Sequence, residues 1–475
     1  MKRNRKICVF LLSAFLILTG CAERPAASYA DGSPQSSSGA ESPSQAATTE
    51  APVSAAEESS VEEADPNALR ICLEAGTELA QSDSDIRVLE TLLASGLRMA
   101  GGPENIVFDS IPYSGSEREI ALDRIRTDIM AGEGPDVFIM TGRYTDTLFP
   151  VPEKAMQEGL FLPLDSYIQS AAQSDWDKLI PAVMEAGQTD EGQVLAPLMY
   201  TLPVTIYRKE DVPEAPPAGT TWQEMLEDET NILRNAAVVE SFGVAGGLAP
   251  SADRNILSIL GQFADYEAGE LLFSEGDLQQ CMEVLLTLRN EIDSDDALPE
   301  YAQGILYGAA PLTMEPSRSE GRPLCRNDLM TMIPVYAKDG GVTATVEAYA
   351  GINRNTKHAE EAFFVVDYLM RAESQQNLKM FYIMNAFPVH EDVLSEEYPQ
   401  QRFASYFIDE NFEALSNMWD QITNVVFNNT LVRSLDDLYF DLYYNYNEQG
   451  EVPPQQAIED AVHETYGTLK QMLSE

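Results

Sequence analysis

"EREIALDRIRTDIMAGEGPDVFIMT" spans residues 117–141. Up to Gly132 the apolar residues recur at helical period, which predicts an amphipathic helix. Pro135 to Thr141 is a short apolar run bounded by Gly-Glu-Gly-Pro, which predicts a buried strand. Upstream, "LRICLEAG" (69–76) and "NIVFDSIP" (105–112) read as strands, and "SDIRVLETLLASGLRMAG" (84–101) has helical spacing. The series is β-α-β-α-β, the pattern of a largely parallel sheet with helices on its faces. Ligands of such sheets sit at the carboxyl ends of the strands. That directs attention to the loops Thr77–Asp83, Tyr113–Ser116 and Gly142–Thr147.

The flanks say where the chain is used. Lys2, Arg3, Arg5 and Lys6 precede an apolar run, Ile7–Leu18, too short for a comfortable permanent span. Residues 1–20 therefore read as a targeting segment. Leu18-Thr19-Gly20 before Cys21 resembles a bacterial lipobox, which implies lipidation of Cys21 and a place on the extracellular face of the cell membrane. Residues 21–66 form a Ser/Ala/Pro/Glu linker, in which Tyr29, Val53 and Val61 are the exceptions to a small or polar composition. A segment so poor in apolar surface is expected to stay disordered, with an end-to-end distance of roughly 35–40 Å.

The remaining chain is too long for one hydrophobic core, so two lobes are expected. Asp plus Glu number 77 against 30 Lys plus Arg, a net charge of −47. That composition excludes a nucleic-acid partner, whose backbone needs a basic surface. Past the leader no apolar run is long enough to span a membrane. Cys72, Cys281 and Cys325 match no metal-site spacing and are expected to be mostly buried, unpaired thiols, although one bridge among them stays open.

Residues 117–211 resemble the extracellular solute-binding proteins that feed ABC importers, the group that includes maltose-binding protein. The resemblance is carried by "RIRTDIMAGEGPDVFIM" (124–140), "EGLFLPLDSYI" (158–168) and "DEGQVLAPLMYTLPVTIYRKEDV" (190–212). "TTWQEML" (220–226), "AYAGINRNTKHAEEAFFVVDYLMRAESQQ" (348–376), "NAFPVHEDVL" (385–394) and "PPQQAIEDAVHETYGTLKQML" (453–473) extend it in the family's order. Pro213–Gly219 and Arg433–Gly450 depart from the pattern. The resemblance implies an α/β, two-lobe periplasmic-binding-protein-like fold of type II. Each lobe would be a mostly parallel sheet flanked by helices, with the ligand cleft between the lobes. Lobe 1 would take 67–198 and about 352–395, and lobe 2 would take 199–351 and about 396–475 with the C-terminal helices.

It also implies a monomer that captures a mono- or oligosaccharide by hinge closure and hands it to an ABC permease, with no cofactor and no catalysis. A ligand sensor or surface adhesion lipoprotein on the same fold is the alternative, and an extracellular glycan hydrolase a more distant one. Neither Gly-x-Ser-x-Gly, His-Glu-x-x-His, Cys-x-x-Cys nor a phosphate-binding Lys loop occurs. "GEGPDV" (132–137) lacks the third glycine of a dinucleotide fingerprint and reads as a helix C-cap and turn. "DSD" (83–85) and "DSDD" (293–296) lack the glycine a calcium loop needs. A glycosidase requires only two placed carboxylates, which composition cannot exclude.

The candidate solute contacts are Tyr144 after the third strand, Tyr200 on the first crossing segment and Tyr349 on the return crossing. Glu315 and Arg318 follow "YGAAPLTM" (307–314), and Trp419 lies in "NMWDQI". Simple burial accounts for Tyr200 and Trp419 equally well. Trp222 reads as packing, and Asp83 and Ser84 as helix N-cap residues. His358, His390 and His463 read as surface residues. Tyr443, Tyr444 and Tyr446 invite comparison with ferric-iron phenolates, but their helical spacing favours core contacts.

Overall fold

A computed structural model describes residues 65, 67–75, 82–141, 147–171, 175–208, 217–227, 239–242, 256–257, 259–294, 330–334, 336–376, 387–394, 416–446 and 451–474. The leader, Cys21 and the linker up to residue 64 lie outside them, as do Cys325 and most of the first and third strand-end loops.

The opening series folds as its periodicity predicts: β1 (Leu69–Glu74), α1 (Asp83–Met99), β2 (Ile106–Phe108), α2 (Ser116–Met130) and β3 (Val137–Thr141). β1 lies between β2 and β3 and is parallel to both, with Leu69 opposite Ile106 and Ile71 opposite Val137. The β2 strand is shorter than the sequence suggests. The chain nevertheless stays beside β1, since the Asp109 and Ile111 N–H groups donate to Ile71 and Leu73 carbonyls.

On α2 the buried apolar stripe is Leu122 and Ile125, each contributing ~1.5–3 kcal/mol by burial. Ile120 and Met130 face outward, Met130 being 88% exposed, so the helix is less amphipathic than its spacing suggested. It ends in a Schellman motif: Gly132 N–H donates to Ile129 O and Glu133 N–H to Asp128 O. Gly132 sits at φ +79°, a left-handed conformation that a Cβ would penalise. Pro135 then blocks any return to helix and launches β3.

Two long strands organise the rest. The first crossing strand, Leu195–Arg208, pairs along Leu195–Thr201 with the return strand, Val342–Ile352. Further on it pairs with Val239–Phe242 and Met330–Pro334. The return strand also runs antiparallel to β3 and parallel to Ile422–Phe427.

Two hydrophobic cores flank these crossings. One gathers β1, β3, α1 and the helix Ala359–Met370. The other gathers the helices Glu275–Ser294, Thr430–Asn445 and Gln455–Ser474. Trp222 is buried in the second core, as expected, and its helix opens with a capping box between Thr221 and Glu224.

Two local readings change. Ser82, not Asp83 or Ser84, occupies the N-cap position of α1. The Asp83 carboxylate instead accepts from the Tyr113 N–H, 2.9 Å away, tying the first two strand-end loops together. His390 is no surface residue: it is 1% exposed, its ring 3.6 Å from Asp175, and burial lowers its pKa. Tyr443 stacks on Tyr439 and Tyr444 on Phe440, one turn apart along a single helix. Cys72 and Cys281 are buried free thiols.

Candidate functional site

The crossing strands carry an irregularity where the two cores meet. Val346 lies opposite Tyr200 and Ala348 opposite Met199, so Glu347 is an extra residue in the return strand. Such a bulge re-aims a side chain. Glu347 is 5% exposed, and its carboxylate accepts from Thr201 Oγ1 at 3.1 Å and Asn428 Nδ2 at 3.2 Å.

Asn428 opens a short polar strip between the strand Ile422–Phe427 and the helix Thr430–Asn445. Just before it, Phe427 sets its ring edge-to-face with Tyr349, centroids 5.2 Å apart. Asn429 is the helix N-cap, its Oδ1 accepting from Val432 N–H at 3.0 Å. That leaves its Nδ2 to donate to both Glu153 oxygens (3.3 and 3.2 Å) and to the Tyr266 hydroxyl (3.0 Å).

Glu153 belongs to α3 (Pro152–Gln157) on the first core's side. Burial pushes its pKa up to about 7, against the opposing hydrogen bonds from its own backbone, Asn429 and Tyr266. The same seam is held by Thr430 N–H to Pro150 O and by Lys154 Nζ to Met472 O.

A third carboxylate ends β1. Glu74 is buried against Arg118, which donates to it and also to Pro112 O, and Glu74 accepts from the Leu148 N–H at 3.0 Å. Burial raises the Glu74 pKa although Arg118 opposes the rise. Tyr349 stands among these groups. Its phenol is raised well above the ordinary value by burial, with Glu74, Glu153 and Cys72 adding to the shift.

Of the sequence candidates, Tyr349 therefore lies within this constellation. Tyr200 and Trp419 are brought together elsewhere. Successive strand residues face opposite sides, so while Thr201 reaches Glu347, Tyr200 points the other way into the first core. It is 0% exposed, packed on Phe387, with Trp419 as its hydroxyl's neighbour. Tyr144, Glu315 and Arg318 lie outside the described residues.

The sequence reading missed Glu74, Arg118, Glu153, Glu347, Asn428 and Asn429. Two carried a signal: Glu347 is the lone charge in "VTATVEAYAGI" (342–352), and Glu74 ends an apolar strand at its carboxyl end. Among the described residues, no cluster of His, Cys, Asp and Glu has the arrangement of a metal site.

The crossing strands thus pass from one core to the other, with a bulged, buried acid between them. Residues 102–314 match the model of the bacterial extracellular solute-binding protein family. That segment is similar to the bacterial extracellular solute-binding proteins. No curated protein matches it in sequence.

Among solved structures it is similar to the sugar-binding protein MalE of the phytopathogen Xanthomonas citri. The TM-score is 0.53 at 15% identity, covering 86% of this chain and 97% of that one. It is also similar to a periplasmic oligogalacturonide binding protein from Yersinia enterocolitica, with TM-score 0.50 and 15% identity, covering 86% and 99%. At that identity the likeness is one of fold: a two-lobe binding-protein architecture, as expected.

Proposed function

We propose that this solute-binding protein is the extracellular receptor of an ABC importer. It captures a carbohydrate by closing its two lobes and presents the closed form to a permease. The observation that carries this reading is the pair of crossing strands, whose bulge brings Glu347, Thr201 and Asn428 together where the two cores meet. A solute touching groups from both sides stabilises the closed form through contacts the open form lacks. In this reading Tyr144, Glu315, Arg318 and Tyr349 contact solute, while Tyr200 and Trp419 support the crossing strands from behind. Cys21 carries the lipid that holds the receptor at the membrane, and residues 22–66 serve as its leash.

The experiment is a thermal-shift titration of the full chain against mono- and oligosaccharides, polyols and amino acids. A solute at about 100 times its dissociation constant adds roughly 2.7 kcal/mol, a shift of several degrees. A saturable shift with a carbohydrate is expected. Saturation by amino acids alone would refute the carbohydrate assignment, and no shift with any solute would refute the receptor reading.

A further inference from the structure

One carboxyl group stands in the seam between the two cores. Glu153 is buried on α3, and the Asn429 amide that donates to both its oxygens caps a helix of the second core. Its other hydrogen-bond partners are the Tyr266 hydroxyl and the backbone N–H groups of Glu153 and Phe427. All of these are neutral. A carboxylate buried among neutral groups bears a desolvation penalty that no opposite charge offsets. Protonation removes that penalty, and so does contact with water.

Solvent access is one side chain away. A cavity of about 450 Å³ opens along the seam, lined by Lys154, Gln157 and Glu158 of α3 and by Tyr266, Glu267 and Ser474. Tyr266 both lines this cavity and touches Glu153, so a small parting of the seam there admits water to the carboxyl. The neighbouring polar contacts across the seam are single hydrogen bonds, Thr430 N–H to Pro150 O and Lys154 Nζ to Met472 O, which water can replace.

We propose that Glu153 is a pH-sensitive latch: protonated, it holds the two lobes together at this seam, and ionised, it releases them. The closed seam favours the neutral carboxyl and the parted seam favours the anion, so opening becomes easier as pH rises. With the buried group's pKa pushed up to about 7 from 4.5, the window lies between those values and the effect levels off above them. Within it, opening gains by up to roughly tenfold per pH unit. The latch goes beyond the receptor reading, of which it uses the lobe motion and not the solute class.

The titratable groups that face Glu153 from other elements are Tyr266 on its turn and Tyr349 on the return strand. Both phenols are raised well above their ordinary value, so they stay neutral across the window. Beyond Tyr349 lie Cys72 and Glu74 on β1, with Arg118 on Glu74. On α3 itself Lys154 and Glu158 line the cavity, with Glu267 among the groups that join them there. All of these are common to the parent and to a variant changed at position 153 alone, and their influence cancels in the comparison.

The test is small-angle X-ray scattering of the full chain without solute, from pH 5 to 8, on the parent and on Glu153→Gln, which keeps the group neutral throughout. Both carry the same residues 21–66, so the difference between them reads the lobes. The parent is expected to expand across the window by more than the variant does. Hydrogen exchange on the same samples reads the seam through the Thr430 N–H. Its protection, corrected for the intrinsic pH dependence of exchange, is expected to fall by roughly tenfold or more beyond any fall in the variant. Equal expansion and equal loss of protection in the two proteins would overturn the latch, as would the absence of any pH dependence. Loss of protection without expansion would confine the effect to local fraying, and would overturn it too. Each of these failures leaves the receptor reading to the solute panel, and a failed panel leaves the latch standing.

Discussion

Glu153→Gln isolates a pH dependence that the folded chain owes to one seam. The carboxyl's pKa rises from 4.5 to about 7 on folding, because burial disfavours the anion more than its hydrogen bonds favour it. Below pH ~4.5 the group is protonated in both folded and unfolded chains. Between there and about 7 the folded chain keeps the proton while the unfolded chain releases it. Folding stability therefore falls as pH rises through that window and levels off above it. At 1.36 kcal/mol per unit the full loss is about 3 kcal/mol.

With roughly 2.1 cal/mol/K of unfolding entropy per residue, that corresponds to about 3–4 °C in melting temperature for a folded part of this size. Groups facing Glu153 are Asn429 and Tyr266, with Tyr349 also within its field. Both phenols are raised well above their ordinary value, so neither titrates in the window. Glu74 also has a raised pKa, which is why the readout is the difference between variant and parent. Thermal melts at half-unit steps from pH 4.5 to 8.5 should show the parent losing about 3 °C more than Glu153→Gln. Parallel curves would refute the claim that this carboxyl is buried and protonated near neutrality.

Two further substitutions test the remaining polar contacts. Arg118→Met strands the buried Glu74 carboxylate and should cost ~3–5 kcal/mol in urea unfolding; adding Glu74→Gln should restore much of it, as a double-mutant cycle would show. Asn429→Ala removes the cap of the helix Thr430–Asn445 and should cost about 1–2 kcal/mol. Asn429→Asp keeps the cap but sets an acid against Glu153, and its melting temperature should fall further as pH rises.

The first half of the lobe containing β1 is legible because its signals are local. Helical period, the Gly132 turn and Pro135 each act within a few residues, and their elements appear within a few residues of the expected ends. The outward-facing Ile120 has the same origin in reverse, since spacing gives a stripe's position but not which neighbours arrive to cover it. Tyr349 was legible as a crossing-strand residue. The contact of Glu153 with Asn429 was not, because it joins positions 276 residues apart. Neither partner has a distinctive neighbourhood: one follows a helix-opening proline and the other is an ordinary N-cap. His390 was misread for a similar reason, its polar local context giving no sign that Asp175 and the first core would enclose it.

Placing ionisable groups at the seam has a consequence for how a solute acts. A ligand shifts a two-state equilibrium only by its differential affinity, and driving it from 1:99 to 99:1 takes about 5.5 kcal/mol. A seam packed with apolar side chains alone would hold the cores together by itself and leave a solute little to add. Here the apolar packing of Val151 is accompanied across the seam by an amide, a hydroxyl, a carboxylate and an ammonium, which exchange readily with water when the seam parts. Their net contribution is small, and the anionic form of Glu153 makes it smaller still at and above neutral pH. For the receptor proposed above, opening is thereby kept within reach of a single solute's binding energy.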